Sequence, residues 1–242
     1  MVREDPSISI SMIQKRVSAT FAYKVSYRKA WKSKQKALTK KYGDWDESYD
    51  LLPRWLERMI QCTLGSIYKL DTTEYVFNNQ VDLRFRKFRR VFWTFKPVID
   101  AFNFCKPIIQ IDGTFLYGKY KGTLLIATTQ DGNSCVLPIA FAIVPGETLN
   151  DWSWFLAKIR RYVTQKQGIC LISDRHVSIK SAVGNAPAWQ PPQAYHVYCV
   201  RHIASNFNHK FKNVTLKQEI LGMGMVNAFY FVLFLIILFH II

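Results

Sequence analysis

An α/β protein with one mixed sheet, preceded by a small basic helical lobe, is the fold class this sequence predicts, on three observations. Residues 108–111, 123–129, 136–144, 169–173 and 195–198 are short apolar or β-branched runs of strand length. Between the third and fourth run, Trp152, Phe155, Leu156, Ile159 and Val163 recur at a helical period. The charge is also lopsided, with ten Lys or Arg and no Asp or Glu in residues 15–41.

Taken in order, residues 1 to about 80 read as mostly helical. Val17, Phe21, Val25 and Arg28 follow a loose helical spacing, and Trp55, Met59 and Ile60 repeat after Pro53, which suits a first helical turn. From Arg89, the set Phe92, Phe95, Ile99 and Phe102 predicts a helix that ends before Pro107. Residues 108–111 then form a strand closed by Asp112 and Gly113, and 123–129 and 136–144 continue it as an antiparallel meander. The Asp131-Gly132 pair supplies positive φ in the turn between the last two. The Trp152 helix, with Asn150 or Asp151 as its N-cap, crosses over to a buried strand at 169–173 ended by Asp174, with Gly168 before it. A fifth strand at 195–198 follows the Pro191-Pro192 break. The domain boundaries expected are 1–85 for the basic lobe, 86–222 for the sheet domain and 223–242 for a hydrophobic tail.

Composition narrows the function classes. Apolar residues make up 49% of the chain, which excludes general disorder, and Lys plus Arg outnumber Asp plus Glu by 33 to 17. A positive field of that size concentrates polyanions, with nucleic acid the natural one. Cys62, Cys105, Cys135, Cys170 and Cys199 are odd in number and never spaced as CxxC, so a reducing compartment is expected. The first ten residues lack the apolar stretch of a signal peptide.

The chemistry centres on two acids. Asp112 and Asp174 both stand where a strand gives way to a loop, the position at which open α/β sheets bind ligands. Should the first and fourth strands be neighbours, the carboxylates repel one another unless cations lie between them. Oxygen ligands with open positions suit Mg²⁺ or Mn²⁺, and a pair of such ions cleaves phosphodiesters. Gly113 would let a nucleic-acid backbone approach. Structural duties are the alternative: Asp112 opening an Asp-Gly turn, Asp174 capping the helix that contains Ile179. His176 orients a carboxylate, meets DNA, or is an exposed loop histidine. Arg84, Arg86, Lys87, Arg89 and Arg90, interleaved with Phe85 and Phe88, form either a DNA surface or a solvated helix face. Lys32, Lys34 and Lys36 lie in the segment expected to contact phosphates.

Several longer strings resemble plant Mutator-like element (MULE) transposases: residues 107–122 (PIIQIDGTFLYGKYKG), 131–144 (DGNSCVLPIAFAIV), Glu147 with 152–155 (WSWF), 172–176 (ISDRH) and 189–207 (WQPPQAYHVYCVRHIASNF). Residues 27–31 (YRKAW) and 44–56 (DWDESYDLLPRWL) resemble the segment that precedes the catalytic domain in that family. The resemblance implies an RNase H-like domain, incomplete at its C-terminus here. Two Asp and one Glu would hold Mg²⁺ or Mn²⁺ and cut and join DNA in the nucleus, with transposon ends and target DNA as partners and a homo-oligomer as a further partner state. Asp112 and Asp174 take the first two acidic positions and are the catalytic and metal-binding residues expected. The third acid is missing, so an inactive, truncated transposase is expected; Glu219 is read as an exposed helix charge and Glu147 as a cap of the crossover helix. Cys199 and His202 match a Cys-x2-His signature of the family, organising the site side of the sheet or packing. The DNA-contacting residues expected are Lys32, Lys34, Lys36, Arg86, Lys87 and Arg89.

Residues 223–242 carry no formal charge and approach membrane-spanning length. Three functions therefore stand: a transposase remnant, a transposase-derived DNA-binding protein without catalysis, and a tail-anchored membrane protein.

Overall fold

The computed structural model describes residue 2, residues 4–116 and residues 119–223. The hydrophobic tail from residue 224 onward lies outside the described residues. Among the described residues, no helix is long and apolar enough to cross a membrane.

The chain divides into two compact units, residues 1–62 with 117–120, and residues 63–116 with 121–242. The first unit holds α1 (Ile10–Phe21), α2 (Tyr27–Tyr42) and α3 (Trp45–Cys62). Ser9 caps α1 by accepting the amide of Met12, and Ser26 caps α2 by accepting that of Lys29. The spacing from Val17 to Arg28 suggests one continuous helix; Ala22 instead breaks it at φ 50°. Pro53 lies inside α3 rather than in its first turn. Ile8, Ile13 and Ala30 make a small core of their own.

The second unit is one seven-stranded sheet in the order β1-β2-β5-β4-β3-β6-β7. Its strands are β1 (Ile67–Phe77), β2 (Gln80–Thr94), β3 (Ile108–Leu116), β4 (Gly122–Gln130), β5 (Val136–Val144), β6 (Ile169–Ser173) and β7 (Ala194–Tyr198). The meander β3-β4-β5 is antiparallel, while β6 and β7 run parallel to β3. The mixed α/β class, with a helical lobe ahead of the sheet, is thus borne out, and the order is consistent with an RNase H-like domain.

Two expectations are corrected. The helix expected from Arg89 to Phe102 is mostly strand: β2 continues to Thr94, and α4 (Lys96–Ala101) is a short helix behind it. Val91, Phe92 and Thr94 are buried in the sheet, and a contiguous run of that kind mimics a helical spacing by chance. In the β4–β5 turn the positive φ belongs to Ser134, at 67°, while Asp131 Oδ1 accepts the amide of Cys135.

α5 (Leu149–Tyr162) and α6 (Val177–Gly184) supply the other half of the core. Trp152, Phe155, Leu156 and Ile159 of α5 are fully buried in one cluster with Ile109, Ile111, Leu125, Ala142 and Leu171 from the strands. The helical period of the apolar side chains on α5 therefore meets the two-residue period on the sheet. Beyond β7, α7 (Val200–Phe211) and α8 (Val214–Met223) pair through Ile203, Ala204 and Ile220.

Candidate active site

The parallel pairing of β3 with β6 fixes where the two acids stand. Ile108 faces Cys170, Ile109 faces Leu171 and Gln110 faces Ile172. The same register carried two residues further sets Asp174 opposite Asp112. β3 continues past Asp112 to Leu116, held by the antiparallel β4, whereas β6 stops at Ser173. The loop after β6 therefore opens beside a strand that is still extended.

Neither acid performs the structural duty open to it. Asp112 lies within β3 rather than in a turn, and its Oδ1 accepts the amide of Gly113 at 2.9 Å. Asp174 does not cap α6; His176 is the cap residue, and Asp174 Oδ1 accepts the amide of Arg175 at 2.6 Å. Asp112 is exposed and Asp174 half-buried. Both carboxylates keep oxygen lone pairs for a further partner.

Three elements bring other side chains to this place. β7 ends against β6, where the amide of Cys199 donates to the Ser173 carbonyl at 2.8 Å. Cys199 is buried as the cap residue of α7, and one turn on, His202 Nε2 lies 3.8 Å from Asp112 Oδ2. His202 Nδ1 is buried with no hydrogen-bond partner among the described residues. The Cys-x2-His spacing thus works as an anchor and a reach: Cys199 fixes the start of α7 and His202 returns to the first acid.

Glu147 is the residue that sequence reasoning misassigns. The N-cap of α5 is Thr148, whose Oγ1 accepts the amide of Asp151 and donates to Asp151 Oδ2, so neither Glu147, Asn150 nor Asp151 caps the helix. The Glu147 carboxyl instead lies over Gly113, with Oε1 3.1 Å from where a β-carbon of residue 113 would stand. Burial raises its pKa; the nearby His176 lowers it, and the charges of Asp112 and Asp174 raise it further. Asp112, Asp174 and Glu147 therefore share one neighbourhood.

Beside Asp174 opens a cavity of about 440 Å³, lined by Asp174, Arg175, His176, Lys180, Tyr198 and Asn206. Three of its six lining residues are basic types, and His176 and Lys180 are exposed. At its floor His196 meets Ser173 Oγ through Nε2 at 2.8 Å, and Ser173 Oγ donates to the Asp174 carbonyl. Burial pushes the His196 imidazole pKa down, and the charge of Lys180 adds to it.

Among the described residues no three His, Cys, Asp or Glu side chains are already gathered as a metal-ligand set. The donor chemistry nevertheless suits a hard divalent ion: carboxylate oxygens at adjacent strand positions, with Gly113 leaving the gap in which a third carboxylate sits. Glu219 is an exposed helix charge, as expected.

The remaining expected residues lie on two other surfaces. In the first unit, Lys32 and Lys36 are exposed one turn apart on α2, but Lys34 turns inward and its Nζ donates to the Ile8 carbonyl at 2.7 Å. Lys29, Lys32, Lys36 and Lys40 make a single exposed stripe. In the second unit, Arg86, Lys87 and Arg89 belong to strand β2, which removes the helix-face alternative. Arg86 and Lys87 are exposed; Arg89 Nη1 stands 3.7 Å from Asp71. Arg90 is buried in an ion pair with Asp151.

A mixed α/β domain with opposed strand-end acids, a histidine on the first and a basic cavity beside the second is the class that fold and site define. The family model described as MULE transposase domain matches residues 108–206, from the first residue of β3 to Asn206 in α7. Over this stretch the chain is similar to Mutator-like transposases, and the resemblance read from its sequence strings is borne out. Comparison with curated proteins gives no match.

Proposed function

We propose that this chain carries a DNA strand-cleavage and strand-transfer site of the Mutator-like transposase kind, acting in the nucleus. The observation that supports it is the β3–β6 register, which sets Asp174 opposite Asp112 within the segment matching the family. Asp112 and Asp174 would hold Mg²⁺ or Mn²⁺, which supplies an activated water and stabilises a leaving oxygen. The chain's own part is to orient the phosphate. Arg175 and Lys180 in the cavity beside Asp174 attract it, and His202 fixes the carboxylate of Asp112. The basic stripe on α2 and the exposed Arg86 and Lys87 on β2 give each unit its own phosphate-contacting surface.

Metal-dependent nicking of duplex DNA tests this reading, with the wild-type chain set against Asp112→Asn and Asp174→Asn. Loss of cleavage by at least about a hundredfold in either variant is expected, since each removes a charge that the metal requires. Equal rates in all three proteins would exclude it.

A second reading, DNA binding without cleavage, is favoured by the acids being turned to their own backbone amides rather than gathered around a common point. It requires salt-dependent DNA binding that survives both substitutions, together with no nicking by the wild type.

A further inference from the structure

We propose that Glu147 is the third carboxylate of this site and holds the divalent ion together with Asp112 and Asp174. The inference rests on the proposed function above and adds a residue to it.

Four observations converge. The helix it precedes does not need Glu147, because Thr148 performs the capping through both of its bonds to Asp151. The carboxyl makes no hydrogen bond or ion pair among the described residues, which is costly for a half-buried acid and leaves its oxygens free for a ligand. Gly113, the residue after Asp112, is what admits it: with a β-carbon there, the Glu147 Cδ would be 3.0 Å away and its two oxygens 3.1 and 3.3 Å. Finally, Glu147 is close enough to both Asp112 and Asp174 for their charges to act on it.

Three carboxylates so placed repel one another in the absence of a cation, and the fold does nothing else with the third. A divalent ion relieves the repulsion and uses all three as hard oxygen ligands. Gly113 then has a defined part: it provides the space through which the Glu147 side chain passes to reach the site. A glutamate downstream of His202 is not needed to complete a set of three acids around the ion.

Mn²⁺ binding to the full chain, measured by titration calorimetry or by the loss of the free-ion electron paramagnetic resonance signal, tests the proposal without reference to catalysis. Wild type is compared with Asp112→Asn, Asp174→Asn, Glu147→Gln and Gly113→Ala. Glu147→Gln is expected to weaken Mn²⁺ by about tenfold or more, and to raise the melting temperature of the metal-free protein because one repelling charge is gone. Gly113→Ala guards against misfolding: its methyl meets only the flexible end of Glu147, so the domain folds, and its Mn²⁺ affinity falls along with that of Glu147→Gln. Mn²⁺ affinity that falls in both aspartate variants but stays at the wild-type value in Glu147→Gln or Gly113→Ala overturns the role of Glu147 and leaves the two-aspartate site standing. A wild-type chain that does not bind Mn²⁺, or binds it equally after Asp112→Asn and Asp174→Asn, overturns both.

Discussion

Arg90 and Asp151 form an ion pair at 3.1 Å in which each side chain is only 7% exposed. Arg90 also donates from Nε to Asp71 Oδ2 at 2.9 Å, and its guanidinium lies over the Trp154 ring, so one side chain ties β1, β2 and α5 together. Breaking such a pair from one side strands a buried charge. Arg90→Ala is therefore expected to cost about 3–5 kcal/mol in urea denaturation. The double variant Arg90→Met, Asp151→Leu removes both charges and should recover most of that stability. An Arg90→Ala protein within about 1 kcal/mol of wild type would show that the pair contributes little.

Gly122 offers a test of packing at the start of β4. A β-carbon there would stand 2.9 Å from the carbonyl oxygen of Val144, which is backbone of the adjacent strand and does not swing aside. Gly122→Ala should thus destabilise the domain by about 1–3 kcal/mol, although alanine ordinarily suits a strand better than glycine. Gly132, in the β4–β5 turn, has open space around it and no positive φ. Gly132→Ala is the control, expected to be neutral or stabilising by about 0.4–1 kcal/mol.

How far the sequence discloses the molecule depends on the range of the interactions involved. Strands β3 to β7 and helix α5 are legible because their apolar period is set by burial on one face, a property each segment carries alone. The β1–β2 hairpin is not. Its outer half, with Leu83, Phe85 and Val76 exposed beside Arg84 and Arg86, has no buried face to impose alternation. Asp112 and Asp174 stand out as strand-end acids, yet their being opposite each other is a matter of register between segments 62 residues apart, with a helix between them. Glu147 is misread for a similar reason. Its position before a helix suggests a cap, while its actual surroundings are decided by the missing side chain of Gly113 on another strand.

His196 should make the stability of this domain depend on pH. Ser173 Oγ gives its hydrogen to the Asp174 carbonyl, so the imidazole donates to Ser173 from Nε2 and is held neutral. Its folded pKa is lowered by burial and by Lys180, below the 6.5 of an unperturbed histidine. Below 6.5 the unfolded chain takes up a proton that the native state does not, and stability is lost as pH falls. His196→Gln retains an N–H donor but cannot titrate. Melting curves from about pH 8 to about pH 5 should show the wild type losing stability relative to His196→Gln on the acid side only. Parallel curves for the two proteins would mean that the imidazole is freely protonated in the native state.

The lysines of α2 separate a DNA-contacting role from a structural one within a single helix. Lys32 and Lys36 share an exposed face with Lys29 and Lys40, whereas Lys34, two residues from each of its neighbours, is rotated about 200° away and holds the Ile8 carbonyl. Neutralising Lys32 and Lys36 together should reduce the slope of log affinity against log salt by about 0.9 for each phosphate left without its lysine, with the melting temperature unchanged. Lys34→Gln should do the reverse. It removes the bond that pins Ile8 against Ile13 and Ala30, so it lowers the stability of the helical unit by about 1–2 kcal/mol while leaving the salt slope as it was. If Lys34→Gln instead flattens the salt dependence as much as the Lys32 and Lys36 pair does, the stripe does not face the DNA and the whole unit acts only through its net charge.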